Sequence, residues 1–469
     1  MRDPAGARPS YSAPPTPEIS WQTRVAAGVS VRTAGIMPGP PDDTGAGTPG
    51  APDDIAAATA GTPGAPDDIA AATAGTPPPA AATATRPAVD PGDRAGAWAA
   101  AREVLCVRLD SIGDVLMTGP AMRALAAGGR RVTLLTSPAG AAVARLMPEV
   151  AETIVYEAPW MKASPSAHGT GAAPHLDMAQ RLRAHGFDAA VIFTVYSQSP
   201  LPAAMLCLLA EIPLRLAHCR ENPYELLSDW VPETEPVARL RHEVRRQLDL
   251  VASVGAVAPD ERLALTVAPA PRARVAERLA REGIDTSRSW ALVHPGSTAP
   301  SRRYPPERLA TACRLLTREH GVALVFSGDA REAPLIAAVR ERLGERAPSL
   351  AGVLDLAELA ALIKAAPLLI AGNTGPVHIA AAVGTPVVDL YALTNPQHTP
   401  WAVPSVVLYH DVPCRWCYKS VCPEGHHLCL RGVEPAAIVH AALSLLDAPE
   451  RAAGAPWREP LRLGAPAAG

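Results

Sequence analysis

From about Glu103 onward the chain alternates short runs rich in β-branched residues and leucine with longer helical stretches, and this alternation constrains the fold more than any other feature. VLCVRL (104–109) is followed by VLMTGPAMRALAAG (115–128), RVTLLTS (131–137) and GAAVARLM (140–147), a β-α-β-α order. TIVYE (153–157) and AAVIFTV (189–195) continue the strands, and the amphipathic stretch ARLRHEVRRQLDLVASVG (238–255) closes a first half. A second series runs through WALVHPGS (290–297), GVALVFSGD (321–329), APLLIAGNTG (366–375) and TPVVDLYAL (385–393). Runs apolar on both faces and separated by helices predict parallel sheets covered on both sides. Two α/β halves are expected, joined near APAPRARVAERLAREGID (268–285).

Residues 1 to about 95 are dominated by Ala, Pro, Gly, Thr and Asp, and the 14-residue unit GTPGAPDDIAAATA occurs at Gly47–Ala60 and again at Gly61–Ala74. So few large apolar side chains cannot offset backbone ordering of roughly 1–2 kcal/mol per residue, and two copies are too few for a solenoid. A disordered leader is expected over 1–95, with an N-terminal half over 96–275, a C-terminal half over 276–447 and a disordered tail over 448–469. Against 46 Asp and Glu stand 43 Lys and Arg, with no long block of like charge, which argues against a nucleic-acid partner. The most apolar stretch, Leu201 to Ala217, is broken by Pro202, Glu211 and Pro213 and falls short of a membrane span. The first residues lack the apolar core of a secretory signal, so a cytoplasmic location is expected.

Ligands of open parallel sheets bind beyond the C-terminal ends of the strands, so the strand-to-helix loops carry the candidate chemistry. The first reads Arg108-Leu109-Asp110-Ser111-Ile112-Gly113-Asp114; its single glycine excludes the dinucleotide fingerprint. Asp114 could accept the proton of an attacking sugar hydroxyl, or it could only cap the following helix. The second loop runs from Gly372 through Asn373, Thr374, Gly375 and Pro376 to His378. A helix starting there would offer a diphosphate unpaired N–H groups and a favourable dipole, while His378 is either an added donor or a core histidine. The third is HPGSTAPSRRYP (294–305), where Arg302 or Arg303 could neutralise phosphate or form a solvated turn. Near the end, Cys414, Cys417, Cys422 and Cys429 fall within CRWCYKSVCPEGHHLC (414–429). Structural zinc, unligated thiols packing a loop, and a redox or iron–sulfur role all remain open for them.

Taken together, VRLDSIGDVLMTGPAMRAL, HPGSTAPSRRYPPERLA, LAGVLDLAELAALIKAAPLLIAGNTGPVHIAAAVGTPVV and CRWCYKSVCPEGHHLC resemble glycosyltransferase family 9, the ADP-heptose:lipopolysaccharide heptosyltransferases, over about residues 103–446. The resemblance implies a GT-B fold of two Rossmann-like domains facing a central cleft. It also implies inverting transfer of a heptose from an ADP-heptose co-substrate to a glycan or glycolipid hydroxyl, with no cofactor required for catalysis. Asp114 would be the base. Ser297, Thr298, Arg302, Glu332, Leu354, Asn373, Thr374, Gly375 and His378 would bind the donor, and Tyr196, Ser197, Gln198 and His242 are candidates for the acceptor. Three positions depart from the family pattern: Arg302 replaces a usual lysine, Tyr304 a usual tryptophan, and Asn373 a usual aspartate. A lipid-linked acceptor would bring the chain to the inner face of the cytoplasmic membrane as a peripheral protein. A sugar-nucleotide epimerase or hydrolase on the same fold, or a non-catalytic sugar-nucleotide-binding protein, are the alternatives.

Overall fold

The structure is a computed structural model in which residues 93–161 and 171–447 are described; the expected leader up to residue 92 and the tail from 448 lie outside the described residues. The first half comprises α1 (Arg94–Ala100), β1 (Glu103–Arg108), α2 (Ile112–Ala127), β2 (Arg131–Thr136), α3 (Pro138–Ala144), β3 (Glu152–Val155), α4 (Ala173–His185), β4 (Ala189–Ile192), α5 (Leu201–Leu209), β5 (Leu214–Cys219), β6 (Asp229–Pro232) and α6 (Glu243–Ala252). The second comprises α7 (Pro269–Arg281), β7 (Trp290–His294), α8 (Pro306–His320), β8 (Ala323–Phe326), α9 (Ala333–Leu343), α10 (Leu356–Ala365), β9 (Leu369–Gly372), α11 (Gly375–Val383), β10 (Val387–Leu390), β11 (Ser405–Leu408), α12 (Leu428–Arg431) and α13 (Pro435–Asp447). α7 runs without a break across the boundary expected at 275/276.

The first sheet has the order β3-β2-β1-β4-β5-β6 and the second β11-β10-β9-β7-β8, and the paired strands are parallel throughout. Both orders are those of doubly wound sheets, reversing direction between β1 and β4 and between β7 and β9. A parallel bridge from Phe326 to Ser349 adds the rudiment of a further strand beside β8, which brings the second sheet closer to the first. β4, β7, β9 and β10 are buried at every residue, the pattern that two helix-covered faces require. The chain therefore has the α/β GT-B architecture, two Rossmann-like halves across a cleft.

β5, β6 and β11 are strands that hydrophobic runs alone do not mark. In β5, Arg215 and His218 interrupt the apolar run yet are buried, because Arg215 donates to the carbonyls of Leu226 and Glu225, each at 2.8 Å, and His218 Nε2 lies 3.1 Å from the Arg246 carbonyl. β6 and β11 are edge strands with only partial burial. One apolar cluster holds Val115 and Leu250 of the first half together with Leu292 and Val377 of the second, so the halves share a core where α2 meets α11. Cys106, Cys207, Cys219 and Cys313 are buried within cores. Among the described residues no helix is long and apolar enough to cross a membrane.

Candidate active site

The reversal point of the first sheet lies between β1 and β4, and the loops leaving those strands meet there. β1 ends in Arg108, whose side chain is wholly buried and faces three carboxylates. Its Nε lies 2.9 Å from Asp110 Oδ2, one terminal nitrogen 3.3 Å from Asp114 Oδ1, and the other 2.8 Å from Glu243 Oε1. From the β4 loop, Gln198 Nε2 donates to Asp110 Oδ1 at 2.7 Å. Asp114 occupies the third position of α2 and accepts from the Ser111 hydroxyl (2.6 Å) and backbone N–H (3.2 Å) through Oδ2. It therefore does cap the helix, and its other oxygen is directed to Arg108. Burial alone would raise the Asp114 carboxyl, but the Arg108 guanidinium, His398 and the Ser111 hydrogen bonds outweigh it and bring it down to about 2. Asp110 responds in the opposite direction: burial raises it, and the opposing pull of Arg108 does not restore it.

The second sheet reverses between β7 and β9. Thr374 begins α11 in an extended conformation, but its hydroxyl donates to the Gly372 carbonyl at 3.2 Å, leaving the helix N-terminus without a side-chain cap. Arg302 reaches the same loop, with a terminal nitrogen 3.5 Å from the Asn373 carbonyl. Beneath it lies Asp389 of β10, wholly buried with neither carboxylate oxygen hydrogen-bonded among the described residues; burial drives its carboxyl far up, with Arg302 the opposing charge. Ser297 is buried and its hydroxyl accepts from the Ala299 N–H at 3.2 Å, while Thr298 is exposed. Glu332 caps the turn at Asp329, accepting its N–H at 2.8 Å, and lies 3.5 Å from His294 Nε2. It fills the space above Gly296, where a Cβ would come within 2.0 Å of the Glu332 carboxyl. Leu354 packs, partly buried, on the main core.

The two sets of loops converge. The bare backbone of Gly113 lets the His378 ring approach so closely that a Cβ there would lie 2.6 Å from His378 Cδ2, and Gly375 faces Ile112. His398 Nε2 lies 3.9 Å from Asp114 Oδ1. His398 is held by the segment that docks on the first half: the Gln397 amide donates to Glu235 Oε2 (2.7 Å) and to the Arg241 carbonyl (3.0 Å), and the Gln397 carbonyl accepts the Glu243 N–H (3.1 Å). Across the cleft, the Tyr196 hydroxyl donates to that of Tyr418 at 2.6 Å. Beyond the ends of β1, β2, β3 and β4 opens a cavity of about 810 Å³ that Asp110, Ser111, Asp114 and Gln198 line.

Several expected residues have a different local setting. His242 has one ring nitrogen accepting the Val244 N–H at 3.2 Å and the other 2.8 Å from the Thr399 carbonyl, with its ring 4.5 Å from that of Trp401. It caps α6 and joins the halves. Ser197 is exposed and is not among the residues lining the cavity. The Asn373 amide turns into the sheet, donating to the Ala392 carbonyl (3.3 Å) and accepting its N–H (3.2 Å). His378 is buried and brought down to about 3 by burial, so it is neutral near pH 7. Among the described residues no group of three or more His, Cys, Asp or Glu side chains is arranged to hold a metal ion. Trp416 and Tyr418 donate backbone N–H groups to the Leu393 and Thr394 carbonyls, Cys429 lies on α12, and Cys414 and Cys429 both pack on the Tyr391, Leu393 and Val412 cluster, with Cys414 Sγ 3.7 Å from His426 Nε2. Glu243, His398 and Asp389 had no motif to mark them; a charged residue inside an apolar strand, as at Asp389, was the available signal.

The fold and the paired reversal points define a two-domain protein of the GT-B class. Residues 175–428, more than half of the chain, match the model of "Glycosyltransferase family 9 (heptosyltransferase)", and the chain belongs to that family. It is 32% identical over 142 residues to lipooligosaccharide heptosyltransferase 2 of Haemophilus influenzae, a match spanning 29% of this chain and 41% of that protein. The match thus spans about two-fifths of that curated relative. Among solved structures, a family 9 glycosyl transferase of Veillonella parvula superposes with a TM-score of 0.63 at 20% identity, over 74% of this chain and 97% of the other. The ADP-heptose lipopolysaccharide heptosyltransferase II of E. coli gives 0.58 at 21% identity, over 74% and 99%. At these identities the structural likeness speaks for the fold.

Proposed function

We propose that this chain is an inverting glycosyltransferase that moves a heptose from an ADP-linked donor to a hydroxyl of a glycan or glycolipid, as in lipopolysaccharide core assembly. The observation that carries this reading is the meeting of an ionised carboxylate at one sheet's reversal point with an uncapped helix N-terminus at the other's. A diphosphate at α11 would meet the Gly375 N–H, the helix dipole and the Arg302 guanidinium. His378, being neutral, would supply at most an N–H donor. Ser297, Thr298 and Asn373 belong to the same loops, and Glu332 and Leu354 to the side on which the nucleoside would lie. The N-terminal half would receive the acceptor, with Gln198 and Tyr196 at its edge; a lipid-linked acceptor would put the reaction at the cytoplasmic membrane face.

In the reaction the acceptor oxygen attacks the anomeric carbon from the face opposite ADP. The new C–O bond forms as the bond to the β-phosphate oxygen breaks, the electron pair leaves on ADP, and configuration inverts. Asp114 takes the proton. A carboxylate held near 2 is a weak base, yet it suffices because the hydroxyl becomes strongly acidic only as the new bond forms, so transfer occurs late.

Thermal stabilisation by ADP, UDP, GDP and CDP tests the donor site; a ligand at a hundredfold excess over Kd adds about 2.7 kcal/mol to apparent stability. Selective stabilisation by ADP is expected, and a preference for another nucleotide would remove the ADP-heptose assignment. Asp114→Asn should lower turnover of ADP-heptose by roughly 10²–10⁴-fold while leaving ADP stabilisation intact. Undiminished turnover would remove Asp114 from the base role.

A further inference from the structure

We infer that His398 takes over from Asp114 the proton that the acceptor hydroxyl gives up, so that two side chains, one from each half, form a proton relay across the cleft. The hydroxyl belongs to the transferase reading; the relay rests on the geometry of the pair. His398 Nε2 and Asp114 Oδ1 lie 3.9 Å apart, and each side chain keeps 14% of its surface exposed, so neither is sealed from solvent. Asp114 Oδ2 already accepts two hydrogen bonds from Ser111, so an arriving proton settles on Oδ1, the oxygen that faces His398.

The tautomer of His398 is set by its own segment. The Gln397 N–H, which can only donate, lies 2.8 Å from Asn395 Oδ1, and this turns the Asn395 Nδ2 donor to His398 Nε2 at 3.3 Å. In the neutral ring Nε2 therefore carries the lone pair and Nδ1 the hydrogen, and a proton delivered to Nε2 displaces one long hydrogen bond. Burial, with Arg302 and Arg108 added to it, holds the imidazole below its ordinary 6.5 against the pull of Asp114 and Glu243. The rings of His378, 6.4 Å away between centres, and of His242 are themselves neutral near pH 7. An Asp114 carboxyl held near 2 does not keep a proton beside such a base. The acceptor O–H bond breaks as Oδ1–H forms, and Oδ1–H then breaks as Nε2–H forms. Asp114 is left ionised, His398 cationic, and the electron pair of the broken C–O bond on ADP. Direct transfer needs roughly 2.6–3.2 Å, so the pair must draw together by about 1 Å in the substrate complex.

The test joins NMR of the full chain, carrying isotope-labelled histidine, with turnover. The His398 signal is the one that His398→Gln removes; its neutral ring should carry the hydrogen on Nδ1. Its titration should move to lower pH in Asp114→Asn, which removes a charge that favours the imidazolium. Turnover is read as ADP released from ADP-heptose, with a deacylated lipopolysaccharide core glycan or water as acceptor. His398→Gln keeps a partner for the Asn395 amide but cannot take a proton, so kcat should fall at least roughly tenfold at about pH 7.5 while ADP stabilisation persists. The unmodified protein should lose kcat/KM as pH falls below 6.5, where His398 becomes cationic, and His398→Gln should abolish that limb; a histidine that only holds structure would leave it in place. A hydrogen on Nε2 of the neutral ring, a titration indifferent to Asp114→Asn, or an unchanged pH profile in His398→Gln would overturn the relay and leave the transferase reading standing. A coupled pair in protein that releases no ADP and that no nucleotide stabilises would count against the transferase reading and the relay together.

Discussion

The guanidinium of Arg108 divides its three nitrogens among Asp110, Asp114 and Glu243, so a single buried side chain sets the charge balance of the first-half site. Arg108→Met would leave three carboxylates in a buried region without their cation, and unfolding should become easier by about 3–5 kcal/mol, read from urea denaturation. Arg108→Lys supplies one point charge in place of a three-way fork and should fall between the two. Asn373 makes the opposite case, because its side chain is a clamp within the second sheet as well as a neighbour of the cleft. Its amide both donates to and accepts from the Ala392 backbone. Asn373→Asp, which would restore the residue usual in the family, sets a carboxylate against a carbonyl oxygen. We expect it to cost about 1–3 kcal/mol in thermal or urea unfolding; an unchanged stability would show that the clamp contributes nothing.

At the scale of elements, the contact that matters most is between the first turns of α2 and α11, which bring the two reversal points together. Gly113 is required there by close approach, with His378 Cδ2 only 2.6 Å from the position of a Cβ. The ring is buried in the shared core and has little room to yield. Gly113→Ala should therefore destabilise the protein by about 1–3 kcal/mol and lower turnover more than it lowers ADP binding, since it shifts α2 and with it Asp114. A variant with unchanged stability and turnover would show that the helices part without consequence. Elsewhere, strand-to-helix alternation was legible because a parallel strand buried on both faces is a continuous apolar run. β5 was not, because Arg215 and His218 are satisfied by carbonyls that only the folded chain supplies. The edge strands β6 and β11 lacked an apolar signature for the opposite reason, being only partly covered.

At the scale of the whole molecule, buried neutral histidines link stability to pH in both halves. Burial takes His242 and His294 from an ordinary 6.5 down to about 4, and His378 to about 3. Below pH 6.5 the unfolded chain binds protons that these native side chains refuse, so each histidine lowers stability by roughly 1.4 kcal/mol per pH unit until its own folded value is reached. Buried carboxyls that are pushed up, such as Glu332 and Asp389, act in the opposite sense, so the histidine contribution is isolated by comparison. His242→Asn keeps an acceptor for the first turn of α6 but has no proton to gain. Its unfolding free energy should fall less steeply than that of the unmodified protein between pH 6.5 and about 4, and identical slopes would show that His242 titrates normally. The sequence by itself determined the α/β class, the two series of strands, and Asp114 and the Gly-Asn-Thr-Gly turn at strand ends, because strand burial, helix starts and turn chemistry depend on near neighbours. Only the tertiary structure decided what those loops face. Arg108 finds Glu243 135 positions away and Gln397 finds Glu235 162 away, Asn373 turns inward, and His242 becomes a joint between halves. Those outcomes depend on which surfaces are buried against each other, and no local pattern of residues encodes that.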